Sequence, residues 1–179
     1  MNMNIKYENV LIRAIEAEDI PILFHMINDG QIESMTGGWS FPVSMEQQKQ
    51  WYQSIQSEKN TLRCTIDVND LGVAGMVSFS DIDWKNRNTQ IHVKILNDEK
   101  FRRKGIACLA ITGMVRYAFS ELNMHLVYCT ILQSNLPSLK LFEKCGFAKD
   151  GQLRERVFKN GKYHDTITMS IINSRECHV

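Results

Sequence analysis

The amino-acid sequence predicts a mixed α/β (α+β) domain, with a central sheet of about six or seven strands and helices on both faces. Three observations carry this. Strand-like runs between residues 63 and 95 are separated by short polar turns, the pattern of an antiparallel meander. A β-branched run, a long amphipathic helix and an apolar run follow over residues 89–131, which reads as a crossover unit with parallel pairing. Asn160-Gly161 then separates two strand-like runs, a strong hairpin signal.

The elements follow in order. Val10 to Ile15 reads as the first strand, and Glu18 and Asp19 open a helix running to about Ile27, acidic residues favouring its first turn. Gly37 to Pro42 is a loop. Ser44-Met45-Glu46-Gln47 has the form of a capping box and launches a helix to about Ile55. Strands are predicted near Arg63–Val68, Val73–Phe79 and Thr89–Ile95, with turns at Asn69–Gly72 and Lys85–Asn88. From Gly105 the apolar positions Ala107, Ala110, Ile111, Met114, Ala118, Phe119 and Leu122 keep helical spacing. Leu126 to Ile131 is an apolar strand. A shorter helix has Pro137 in its first turn and stops at Gly146. Arg154–Phe158 and Asp165–Ile172 form the hairpin.

Composition narrows the function classes. At 179 residues one domain spanning 1–179 is expected, and 44% hydrophobic with 23% charged residues excludes a disordered chain. A net charge of +1 argues against a nucleic-acid partner bound through bulk positive charge. No apolar run is long enough for a membrane span and the polar start lacks a signal-peptide core, so a cytoplasmic protein with no membrane partner is expected. The five cysteines have no C-x-x-C spacing, so reduced, mostly buried thiols are expected and no metal site.

The most informative stretch is Arg102-Arg103-Lys104-Gly105-Ile106-Ala107. It brings three cations, a flexible turn and a helix start together. A helix start exposes unpaired N–H groups and the positive end of the macrodipole, which suits a phosphate. Gly105 and the small Ala107 let the backbone approach a ligand closely. The stretch reads as a pyrophosphate cradle.

With the downstream run Asn135-Leu136-Pro137-Ser138…Phe142-Glu143-Lys144-Cys145-Gly146-Phe147, this cradle resembles the GNAT superfamily of acetyl-CoA-dependent N-acetyltransferases, over nearly the whole chain. The Arg13…Asp19 pair and the Gly151…Asn160-Gly161…Asp165 hairpin resemble the branch containing the ribosomal-protein-alanine and spermidine N-acetyltransferases. The resemblance implies a GNAT fold in which two central strands splay apart and admit the pantetheine arm of acetyl-CoA (coenzyme A). It places Val93, Lys94 and Ile95 near the expected strand bulge, and Ile106, Asn135, Ser138, Phe142 and Lys144 with the cradle around the coenzyme. Lys144 alternatively only ends its helix favourably, and Asn135 bonds the coenzyme arm or the backbone of the splayed strand.

The chemistry sets three requirements. An amine with a free pKa of roughly 10 must arrive neutral, the oxyanion needs backbone N–H donors, and the thiol leaves. A thiol pKa of about 8.5 makes that last role the least demanding. At the position where relatives often carry a general-acid tyrosine stands Phe142, which has no proton to give; Ser138, one turn earlier, is the substitute, or else it only caps or bonds the coenzyme arm. Where many relatives have a glutamate base stands Gln90. His92, on the same strand face, has a pKa suited to base work, with a structural histidine as the alternative. Asp81 and Asp83 are a second candidate for binding a cationic amine, or form a solvated turn. Trp39 and Phe41 either line the acceptor site or anchor their loop, and Glu33 is a further candidate for assisting the amine.

The expected activity is direct transfer of an acetyl group from acetyl-CoA to a primary amine, on a protein N-terminus or a small molecule. The alternative is a catalytically weak acyl-CoA-binding regulator, motivated by Phe142 and Gln90. A P-loop nucleotidase is a remote third option, since the Gly-Lys-Ser/Thr ending of that motif is missing. Partners are a small-molecule or peptide amine and, on exposed edges, a second copy in a homodimer.

Overall fold

The structure, a computed structural model, describes residues 4–38 and 41–174. Eight strands form one sheet in the order β1-β2-β3-β4-β5-β6-β8-β7. They are β1 (Ile5–Tyr7), β2 (Val10–Ala14), β3 (Leu62–Val68), β4 (Gly72–Asp83), β5 (Asn88–Ile95), β6 (Leu126–Leu132), β7 (Ala148–Lys159) and β8 (Lys162–Ile172). The helices are α1 (Ile20–Ile27), α2 (Gly30–Ser34), α3 (Met45–Ile55), α4 (Ile106–Ser120) and α5 (Leu136–Lys144). Among the described residues only β5 and β6 pair in parallel, across the α4 crossover, as expected. β3, β4 and β5 form the predicted antiparallel meander.

Alternation along the strands divides the interior into two layers. Ile66, Val77, Phe79, Ile91 and Val127 pack with Ile106, Ala110, Ile111 and Met114 of α4 in the main core. On the opposite face Met76 and Leu96 meet Leu23 and Met26 of α1 and Trp51 of α3. The capping box is formed: Ser44 Oγ accepts from the Gln47 N–H at 3.1 Å and Gln47 Oε1 from the Ser44 N–H at 2.8 Å.

Several boundaries differ from expectation. The sheet has eight strands, because β1 is a three-residue edge too short to show alternation. β7 begins at Ala148 rather than Arg154; as an edge strand it is exposed along most of its length and has no buried period to read. β4 continues past Phe79 to Asp83. α1 starts at Ile20, since Asp19 lies in a preceding 3-10 turn and is buried. There it receives two hydrogen bonds from Arg13, at 2.8 and 2.9 Å, and one from Thr65 at 3.0 Å. Burial pushes the Asp19 carboxyl upward, yet these bonds and the Glu16 N–H outweigh it and hold the pKa below its ordinary value. The short α2 was not expected; Asp29 caps it, accepting from the N–H groups of Gln31 and Ile32.

Candidate active site

The strands β5 and β6 are paired only where Asn88–Gln90 lies beside Leu126–Tyr128. Past that point β6 stays with β8 and β5 stays with β4, so the two part. A cavity of about 390 Å³ opens between them. Its walls are Gln90–Lys94 of β5, Cys129–Leu132 of β6, Asn135 at the N-cap of α5 with Ser138 and Phe142 within it, Met35–Gly38 after α2, and Val157 and Thr166 of the hairpin.

The direction of the backbone donors follows from one hydrogen bond. The Leu96 N–H donates to Ala74 O at 2.8 Å, and the β4–β5 register is unbroken from Ser80↔Gln90 to Gly75↔Ile95. By alternation the N–H groups of His92 and Lys94 therefore face β4, while those of Val93 and Ile95 lie on the parted edge. An open strand edge of this kind accepts an extended, amide-bearing ligand. Lys94, expected to contribute here through its backbone, offers only its side chain. Across the cavity the hydroxyl of Thr166, on a residue 4% exposed, is buried without a hydrogen-bond partner among the described residues. An orphaned donor in a cavity wall fits a polar ligand. Thr166 gave no signal in the sequence, because its role depends on which strand faces it.

The cradle stands at the start of α4. Gly105 is the N-cap residue in the left-handed region, φ 72°, and Arg103 is left-handed too, φ 57°. A Cβ at Gly105 would meet nothing within 4 Å, so the turn and not crowding demands glycine. Arg103 and Lys104 are exposed. Arg102 donates to Asn97 Oδ1, and Asn97 Nδ2 donates to Gln31 Oε1 at 2.7 Å, which ties the cradle to α2. Ile106 turns its side chain into the core, so only its backbone is available to a ligand; Ala107 lies beside it in the first turn.

His92 shares its strand face with Gln90 and Lys94. Its Nε2 lies 2.9 Å from Ser80 Oγ, which lies 3.2 Å from Asp81 Oδ2. A serine hydroxyl has one proton; donated to Asp81, it leaves Oγ to accept from Nε2–H and makes Nδ1 the free acceptor of the ring. The ring is open to solvent on one side yet crowded by protein on the other. That partial desolvation lowers its pKa, helped by Lys94 and Arg63 and opposed by Asp81.

On α5, Phe142 is buried against Phe147, ring centroids 5.0 Å apart, with its surface in the cavity wall. Ser138 also lines the cavity, its N–H held by Asn135 Oδ1 at 3.1 Å. Asn135 caps the helix and donates to Met35 O at 2.8 Å rather than to the splayed strand. Lys144 is exposed at the end of α5. Next to it, Cys145 Sγ lies 3.3 Å from Cys108 Sγ of α4, which brings that end of α5 to the first turns of α4.

Two expected acceptor residues are engaged elsewhere in the fold. Glu33 is paired with the buried Lys159 at 2.6 Å. Asp83 closes the β4–β5 turn, accepting from the N–H groups of Lys85 and Asn86 and from Asn86 Nδ2, and the Asn86 bonds hold its carboxyl below the ordinary range. Phe41 is 69% exposed and Trp39 lies outside the described residues. Asp81 lies near His92, through Ser80.

Known proteins resemble this chain over nearly its whole length. Residues 9–148 match the acetyltransferase (GNAT) domain. The chain is 35% identical over 160 residues to the SPbeta prophage-derived uncharacterized N-acetyltransferase YokL of Bacillus subtilis, spanning 89% of this chain and 88% of that protein. It is 26% identical over 165 residues to spermidine N(1)-acetyltransferase of Vibrio cholerae, spanning 92% and 93%. The crystal structure of spermidine N-acetyltransferase from Vibrio cholerae with CoA and spermine superposes with a TM-score of 0.85 at 25% identity, covering 93% of this chain and 96% of that one. These relatives do not favour the regulator reading that Phe142 and Gln90 suggested. The chain belongs to the GNAT family of acetyltransferases, enzymes that transfer the acetyl group of acetyl-CoA to an amine.

Proposed function

We propose that this enzyme acetylates the primary amine of a small molecule by direct attack, with His92 as the base. The observation that carries the reading is the parted β5 edge: the Val93 N–H lies on that edge, and Val93 and His92 both line the cavity. The small-molecule acceptor is supported by relatives named for spermidine, one of them solved with spermine.

The residues fit acetyl-CoA, which supplies the acetyl thioester. The N-terminus of α4 with Arg103 and Lys104 suits its diphosphate, and the edge of β5 with Thr166 suits the amides of its arm. Of this open edge the Ile95 N–H is left to the amides of the arm, and the Val93 N–H, next to His92, would meet negative charge as it develops on the acetyl oxygen. His92, kept neutral near pH 7 by its lowered pKa, takes the proton of the incoming amine. Phe142 can supply no acid, and a thiol of ordinary pKa leaves without one. The cavity also contains Cys129, but burial pushes its thiol up to about 12, so it offers too little thiolate for an acyl-enzyme route.

Thiol release from acetyl-CoA, screened against polyamines, aminosugars, amino acids and peptides, tests the reading. Turnover of a small amine with no burst of acylated protein is the expected result. Acetyl-CoA binding without turnover of any amine refutes it.

A further inference from the structure

We propose that the acceptor amine carries an apolar body and a carboxylate, the body held in the pocket between α1, α3 and the sheet and the carboxylate paired with Lys94. This rests on the acetyl-transfer reading and narrows its substrate.

The pocket has a volume of about 420 Å³ and is lined by Leu23 and Met26 of α1, Trp51 of α3, Met76 of β4, Val43 and Lys94. It lies on the face of β5 that presents Gln90, His92 and Lys94. Lys94 lines both this pocket and the cavity between the parted strands, so the two spaces adjoin at this residue. An acceptor seated there would put its amine near His92 and its body among the apolar side chains.

Charge decides what kind of acceptor fits. Among the described residues lining either space there is no aspartate or glutamate. The formal cations are Lys94 and Arg63. Arg63 is already engaged, donating to Glu58 and lying 5.9 Å from the centre of the Trp51 ring. Lys94 is half-buried and makes no ion pair or side-chain hydrogen bond with any described residue. A half-buried ammonium without a counter-charge is unfavourable alone and is satisfied by an anion on the ligand. A polyamine would instead bring further positive charge to a wall with no carboxylate to receive it, even though relatives of this chain are named for spermidine.

The test compares hydrophobic amino acids with their decarboxylated counterparts (leucine with isoamylamine, phenylalanine with phenethylamine), and both with spermidine, in the acetyl-CoA thiol-release assay. The carboxylate-bearing member of a pair is expected to have at least about tenfold higher kcat/KM. Assayed at a pH above the His92 limb, Lys94→Met should abolish that preference by raising KM for the amino acid far more than for its decarboxylated counterpart, and Lys94→Arg should keep it. Preferential turnover of spermidine or of the decarboxylated amines overturns the acceptor assignment and leaves acetyl transfer standing. No thiol release with any amine overturns both.

Discussion

Lys159 at the end of β7 and Glu33 in α2 form an ion pair of 2.6 Å across 126 residues of sequence. The ammonium is almost fully buried and donates also to the carbonyls of Glu33 and Thr36, so all three of its protons are engaged. The pair fixes the hairpin against Met35–Gly38, one wall of the cavity between β5 and β6. Glu33→Gln would leave a buried ammonium without its counter-charge, at a cost of about 1–3 kcal/mol. Urea unfolding should show that loss, together with weaker acetyl-CoA binding. Unchanged stability with a raised KM for the amine would instead return Glu33 to the acceptor site.

Arg102 and Arg103 should differ in what they give the coenzyme. Arg103 is exposed beside the helix start, whereas Arg102 is partly engaged by Asn97. Replacing both with Ala is expected to weaken acetyl-CoA binding by about 1.5–3 kcal/mol for each charged hydrogen bond lost. The Arg103 variant alone should carry the larger share. Calorimetric titration checks this, and unchanged affinity in the double variant refutes the cradle.

Those residues show where sequence reasoning reaches. The cradle is contiguous, so its cations, glycine and helix start are legible together, as are the crossover and the Ser44 capping box. The parting of β5 from β6 was expected only through family resemblance, because no local period encodes the absence of a neighbour. Thr166, Lys94's side chain and the Met35 wall are assembled from distant segments and leave no local signature. Glu33 and Asp83 illustrate the converse: a carboxylate suited to an amine by type was already bonded within the fold, one to Lys159 and the other to a turn.

His92 gives the site a pH signature. Its pKa lies below the ordinary imidazole value near 6.5, through partial desolvation and then the neighbouring Lys94. With His92 as the proposed base the neutral ring would be the active form, so kcat/KM should fall as pH drops through that lowered value and hold above it. Removing the Lys94 charge should move this acid limb to higher pH. Asp81→Asn should move it lower, since Asp81 acts in the opposite direction. His92→Gln should abolish the limb, and a pH–rate profile unaltered by that change would remove His92 as the base.

Gly75 supports the same stretch of β5 from behind. It pairs with Ile95, and a Cβ there would lie 2.0 Å from Lys94 O and 2.9 Å from Ile95 Cα. Both are backbone atoms, so no rotamer change relieves the clash and β5 itself must move. The register of β3 with β4 also shifts beside this residue, between Ile66 and Asp67, so the strand is already irregular where it approaches β5. Gly75→Ala should therefore cost about 1–3 kcal/mol, as overpacking does, and displace the Val93 and Ile95 donors. Because a misplacement of about 1 Å near the reacting groups can cost about a hundredfold in rate, kcat/KM should fall further than stability alone implies. Steady-state kinetics beside thermal unfolding separates the two effects. A variant equally stable and equally active would show that the close approach of β4 does not set the position of the β5 edge.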